Sequence, residues 1–246
     1  MAILTANQLS KVYGHKQKYR ALNNISFSVE KGEFVAVMGP SGSGKTTLLN
    51  VLSSIDTISG GTVEVEGKEI NKLSHKEVAN FRKQHLGFIF QDYSVLPTLT
   101  VKENIMLPLS VQKFHKYEME QNYKEVAEAL GIYNLGNKYP SEISGGQQQR
   151  IGVIRALAAD QDIILMDEPF GALDPITRDT LQDLVKKLQQ QLGKTFIFVT
   201  HDMDEAIKLA DKICIMTNGQ VVQYDTPDNI LRSPANDFVK DCSGQN

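Results

Sequence analysis

The feature that most constrains this chain is a glycine-rich turn, Gly39-Pro-Ser-Gly-Ser-Gly44-Lys45-Thr46-Thr47, set directly behind the apolar run Phe34 to Met38. The run FVAVM is apolar on both of its alternations, as expected for a strand covered on both faces. The turn fits G-x-x-x-x-G-K-[ST], a spacing in which glycines let the backbone curl so that successive N–H groups point at a phosphate. The helix that follows presents its positive end to the same anion. Lys45 is then placed to reach the β and γ phosphates, and the Thr46 hydroxyl to ligate Mg²⁺. Gly39, Ser41, Gly42, Ser43, Gly44 and Thr47 complete the expected phosphate cradle. A strand, a phosphate turn and a helix in succession point to an α/β fold.

The rest of the chain can be read around this unit. Short alternating runs at Ile25 to Glu30 and Gly61 to Gly67 predict a small antiparallel sheet near the N-terminus. Further doubly apolar runs at Gly87 to Gln91, Ile163 to Met166 and Thr195 to Thr200 predict a parallel core sheet. Between about 96 and 158 the rhythm changes to helical spacing, as in Tyr123, Val126, Ala127 and Leu130, which predicts an inserted α-helical subdomain. Leu181, Leu184, Val185 and Leu188 mark another amphipathic helix, with Gly193 its left-handed cap. Residues 1–246 are thus expected to form one domain: a P-loop core with a parallel sheet, an N-terminal antiparallel β subdomain and the helical insertion.

Composition excludes several classes of function. A net charge of −3 gives no support to a nucleic-acid-binding surface, which is usually strongly basic. The apolar runs fall far short of the roughly 20 residues that span a bilayer. The start MAILTANQLSKVYG lacks the basic and apolar regions of a signal peptide and reads as a strand. Cys214 and Cys242 are too few and too distant for a disulfide scaffold or a metal knuckle, which fits a reducing cytosol.

Two further segments carry chemistry. In IILMDEP, four apolar residues lead to Asp167 and Glu168. At the carboxyl end of a core strand beside the phosphate turn, Asp167 is placed to hold Mg²⁺ through water, and Glu168 to orient or deprotonate the water attacking the γ-phosphate. In Ile143-Ser-Gly-Gly-Gln147 the apolar helix through Ile151, Ile154 and Leu157 begins, with Ser144 a candidate cap and the bare amides of Gly145 and Gly146 a second anion seat.

A Ser-Gly-Gly-Gln turn between a phosphate loop and an aspartate-glutamate strand resembles the signature of ATP-binding cassette proteins, and the resemblance extends over nearly the whole chain. It implies ATP as ligand with Mg²⁺, and a homodimer in which ATP lies between the phosphate loop of one subunit and Ser144, Gly145, Gly146 and Gln147 of the other. It also implies that Tyr13 stacks on adenine and that Gln91 touches Mg²⁺ and links the site to a transmembrane subunit. Ala172-Leu173-Asp174 would be the loop across which subunits communicate, and His201 the residue that contacts the γ-phosphate and supports Glu168. Lys45, Glu168 and His201 are the expected catalytic set, and Thr46, Gln91 and Asp167 the metal set.

The implied protein is the ATP-hydrolysing subunit of a transporter, peripheral on the cytoplasmic face of the membrane and docked on a permease. Segments before the signature, such as LLNVLSSIDTISGGTVEVEG, resemble ATPases that export bacitracin-type antimicrobial peptides. Those after it, such as VTHDMDEAIKLADKICIMTNGQVVQYDTPDNIL, resemble ATPases importing glycine betaine and choline, which often continue into paired regulatory repeats. The chain thus reads either as a mosaic joined near SGGQQQR or as a divergent member. A soluble ABC ATPase of chromosome maintenance or translation is the alternative. Against it, the gap between phosphate loop and signature lacks sustained heptads, and there is one cassette where translation types usually have two.

Overall fold

The computed structural model describes residues 2–242 and 244, apart from 15, 90–94, 112–113, 130, 159–160 and 172. In chain order the strands are β1 Ala2–Tyr13, β2 Tyr19–Glu30, β3 Phe34–Met38, β4 Gly60–Val65, β5 Lys68–Glu69, β6 Leu86–Ile89, β7 Ile163–Asp167, β8 Thr195–Val199, β9 Lys212–Thr217 and β10 Gln220–Asp225. The helices are α1 Lys45–Leu52, α2 His75–His85, α3 Val101–Val111, α4 Lys116–Ala129, α5 Gly145–Ala158, α6 Pro175–Leu192, α7 Met203–Leu209, α8 Pro227–Arg232 and α9 Asp237–Cys242.

Two sheets result. One is antiparallel with strand order β2-β1-β4-β5, and the other has six strands in the order β10-β9-β3-β8-β7-β6. Strands β3, β8, β7 and β6 run parallel, as expected, β9 joins them in parallel beside β3, and β10 returns antiparallel on β9 to form the edge. Alternation in hydrophobicity did not reveal β9, because KICIMT is apolar on both faces, nor β10, whose QVVQYD is half-buried.

The reason for the uniformly apolar strands is visible in their packing. Phe34, Ala36 and Met38 enter one core with α3, α5 and α6, whereas Val35 and Val37 enter a second core with α1 and the antiparallel sheet. The same division separates Ile164 and Met166 from Ile163 and Leu165, and Phe196 and Phe198 from Ile197 and Val199. Each fully buried side chain of this size contributes roughly 1.5–3 kcal/mol, so a polar residue on either face would be costly.

Helices α3, α4 and α5 pack on one another within the segment read as helical. Tyr123 and Ala127 of α4 are buried there, while Leu130 lies outside the described residues. Helix α6 begins on Asp174, whose Oδ1 accepts from Thr177 N at 3.1 Å, and ends on Gly193 at φ 62°. Gly193 is thus the left-handed cap the sequence predicted.

Candidate functional site

Parallel pairing determines what meets at the site. Val37 of β3 stands opposite Val199 of β8, and Asp167 of β7 opposite the same Val199. The turn after Met38, the carboxylates at the end of β7 and the histidine after β8 therefore leave three adjacent strands at one edge, where open α/β sheets bind ligands. Two backbone bonds tie these ends together: Glu168 N donates to Val199 O at 3.1 Å, and Thr200 N to Val37 O at 3.2 Å.

These ends enclose a cavity of about 440 Å³, lined by Gly39, Ser41, Gly42, Gly44, Lys45, Thr46, Thr47, Glu168 and His201, with Pro40 and Tyr19. The loop needs its glycines. Gly39 has φ 148°, and a Cβ there would lie 2.1 Å from Met216 O; Gly44 has φ 100°, and its Cβ would lie 2.5 Å from Ala21 O. Gly44 is also the N-cap of α1 and supplies no side chain to satisfy the first amides of the helix, which leaves those donors for an anion. Ser43, predicted as part of the cradle, is buried and does not line the cavity.

Lys45 is held against the loop, its Nζ donating to Gly39 O at 2.8 Å and Pro40 O at 2.9 Å. Burial pushes its pKa down, opposed by the Glu168 and Asp167 carboxylates. At Asp167 burial pushes the carboxyl up, and a hydrogen bond with the Thr46 side chain pulls it down. Thr46 and Asp167 thus present a hydroxyl and a half-buried carboxylate side by side, the all-oxygen donor set that suits Mg²⁺.

Glu168 is one residue beyond β7 and has φ 45°, a left-handed conformation costing of order 1–3 kcal/mol in a residue with a Cβ, and a frequent mark of functional positions. The turn aims its carboxylate at the histidine: His201 Nδ1 is 3.6 Å from Glu168 Oε2. His201 itself is largely open, with 68% of its side chain exposed.

Other described residues among those predicted do not line the cavity. Tyr13 stands beside the cavity: its hydroxyl is 2.5 Å from Asp56 Oδ2, its side chain also hydrogen-bonds with that of Thr47 in the phosphate loop, and Lys11 Nζ stands 4.8 Å over its ring. Its cross-strand partner, Tyr19, lines the cavity, 57% exposed and with its hydroxyl 3.3 Å from Gly42 O. Sequence reasoning did not single out Tyr19, because nothing in an alternating strand marks a tyrosine whose hydroxyl reaches the loop backbone. Gln91 and Ala172 lie outside the described residues. Asp174 is exposed at the start of α6, its pKa lowered by the Thr177 hydrogen bonds.

Ser144 to Gln147 also stand apart from the cavity. Ser144 N donates to Gln147 Oε1 at 3.0 Å and Gln147 N to Ser144 Oγ at 3.3 Å, a reciprocal cap at the start of α5. Ser144 and Gly145 are exposed, and a Cβ on Gly145 would meet nothing within 4 Å.

Comparison with known proteins agrees with this geometry. The family model described as "ABC transporter" matches residues 22–171. The chain is 47% identical over 247 residues to the carnitine transport ATP-binding protein OpuCA of Listeria monocytogenes, a match covering 99% of this chain and 60% of that protein. It is 50% identical over 222 residues to the bacitracin export ATP-binding protein BceA of Halalkalibacterium halodurans, covering 90% and 87%. The chain therefore spans about 60% of the length of the osmoprotectant relative. Among solved structures, the dimeric post-hydrolysis state of the ATP-binding cassette MJ0796 bound to ADP and Pi superposes with a TM-score of 0.83 at 34% identity, over 91% of this chain and 98% of that one. With the phosphate loop, the strand-end carboxylates and the histidine gathered at one sheet edge, the sequence and the fold agree: the chain belongs to the ABC transporter family.

Proposed function

We propose that the chain hydrolyses ATP to ADP and phosphate and thereby energises transport through a separate membrane permease. The observation that carries this reading is the Glu168–His201 pair, 3.6 Å apart, at the rim of the phosphate-loop cavity. The loop amides and Lys45 bind the β and γ phosphates, and Lys45 neutralises charge that develops on transfer. Glu168 orients the attacking water and accepts its proton, while His201 holds the Glu168 carboxylate and reaches toward the γ-phosphate. Thr46 and Asp167 are the described residues that would hold Mg²⁺, which supplies charge neutralisation across the phosphates when bound; Gln91 would join them.

The open Ser144–Gln147 turn, away from the chain's own cavity, supports a homodimer in which it closes on the ATP of a second copy, with Leu173 and Asp174 at the junction. A permease partner would place the chain on the cytoplasmic face of the membrane. Among the described residues no helix is long and apolar enough to cross one. The names of the relatives point to two classes of cargo, osmoprotectants such as carnitine and peptides such as bacitracin.

The test is Glu168→Gln. It retains size and hydrogen bonding but removes the base, so hydrolysis should slow about 10²–10⁴-fold, equivalent to about 3–5 kcal/mol of barrier, while ATP still binds. The variant should elute as an ATP-dependent dimer, and Ser144→Arg added to it should return the monomer. Undiminished turnover in Glu168→Gln would remove that residue from catalysis. A monomer at saturating ATP would count against the sandwich.

A further inference from the structure

His201 has little around it to fix its side chain, since most of that side chain is open to solvent. Its position must come from its backbone, and that backbone is clamped on both sides by groups that do not line the nucleotide cavity. Thr200 Oγ1 donates to Glu205 Oε2 at 2.6 Å and accepts from Asp202 N at 3.0 Å. Asp202 Oδ1 in turn caps α7, accepting from Asp204 N at 2.9 Å and Glu205 N at 3.3 Å.

Glu205 is the unexpected member of this group. It is 5% exposed, and taking a carboxylate out of water is costly unless it is hydrogen-bonded and paired. Burial indeed pushes its pKa up, against the opposing pull of Thr200. Besides Thr200 it accepts from Gln182 Nε2 at 3.2 Å. Arg178 stands beside it, with Nε buried, lacking a hydrogen-bond partner and 3.9 Å from Glu205 Oε1. The same guanidinium donates from Nη2 to Leu173 O at 3.2 Å and approaches Asp202 Oδ2 to 3.5 Å. A cavity of about 20 Å³ is lined by both groups of residues, Glu168 and His201 together with Arg178 and Glu205.

We propose that Glu205 is a positioning residue for the hydrolytic pair: through Thr200 it fixes the backbone that carries His201, and Arg178 ties that support to the Leu173–Asp174 loop. The inference rests on the hydrolytic role proposed above for His201. A core carboxylate that merely stabilised the fold would need none of these connections to the turn after β8. Because His201 must hold Glu168 from an exposed position, a shift of its backbone passes directly to the attacking geometry, where displacements of about 1 Å can change rates about 10²-fold.

The experiment measures steady-state ATP turnover, nucleotide affinity and melting temperature for Glu205→Ala, Thr200→Val and Thr200→Ser, and for Glu205→Ala combined with His201→Ala. Glu205→Ala and Thr200→Val should each lower kcat on the order of 10- to 100-fold, with ATP affinity unchanged. Thr200→Ser, which keeps the hydroxyl, should recover most of the rate. Added to His201→Ala, Glu205→Ala should cause no further loss of kcat beyond about twofold, even if it still lowers the melting temperature. If Glu205→Ala does not fold, the contrast between Thr200→Val and Thr200→Ser reads the same contact. An equal loss from Glu205→Ala in both backgrounds, or equal rates for Thr200→Val and Thr200→Ser, would overturn the proposal. A wild-type rate in His201→Ala alone would instead overturn the assignment of His201, and this inference with it.

Discussion

Replacing Gly39 by alanine tests whether the phosphate loop is held by the sheet or merely tolerated by it. The added Cβ would lie 2.1 Å from Met216 O and 2.8 Å from Ser43 Oγ, at a residue with φ 148°. Met216 cannot easily retreat, because β9 is in register with β3 through Ile215 and Met38. Strain in a backbone region reserved for glycine costs about 1–3 kcal/mol, and forcing a methyl group into packed backbone about 1–3 kcal/mol more. The expected destabilisation is about 2–6 kcal/mol, which at about 2–4 °C per kcal/mol for a chain of this size lowers the melting temperature by about 4–24 °C. Gly42 is the control: its φ of 78° also disfavours alanine, yet its Cβ would meet nothing within 4 Å, so Gly42→Ala should lose about 1–2 kcal/mol. Both variants would be melted by circular dichroism without nucleotide, and titrated with a fluorescent ATP analogue at a temperature where they are folded. If Gly39→Ala melts no lower than Gly42→Ala, the packing of the loop against β9 has been misjudged.

Lys45→Ala should abolish nucleotide binding or turnover, since the triphosphate loses its main cationic contact; ordinary ATP turnover would sink the phosphate-loop assignment. Tyr19→Ala should weaken binding of the ATP analogue more than Tyr13→Ala does if the tyrosine that lines the cavity carries the base, because base–aromatic stacking contributes about 1–3 kcal/mol; the reverse order, measured by the same titration, would restore Tyr13 as the platform. Cys214 is fully buried, and burial pushes its thiol up to about 12 from 9.0. Because the folded state holds this proton more tightly, the associated stability is complete below pH 9 and is lost as pH rises toward 12, at up to about 1.4 kcal/mol per unit. Denaturant melts between pH 8 and 11 should therefore fall less steeply for Cys214→Ala than for the wild type, and parallel slopes would refute this.

The phosphate turn, the strand-end carboxylates and the signature turn were legible in the sequence because their chemistry depends on a few residue types at fixed local spacing. Gly39 to Thr47 needs only its own backbone, Asp167 and Glu168 only the end of an apolar strand, and Ser144 to Gln147 only the start of a helix. The doubly apolar runs also revealed the parallel strands β3, β6, β7 and β8, since burial on both faces leaves no room for polar residues. Tertiary structure alone decided which strand ends share an edge, and therefore that His201 meets Glu168 at 3.6 Å. It also brought both cross-strand tyrosines against the loop, Tyr19 at Gly42 O and Tyr13 at Thr47, with Asp56 and Lys11 holding Tyr13. The buried Glu205, with Gln182 and Arg178 from α6 and Thr200 from the turn after β8, left no trace in the sequence. A charged residue in a polar helix reads as solvated until packing shows otherwise, and only the meeting of α6, α7 and the turn after β8 turns this one into a buried support.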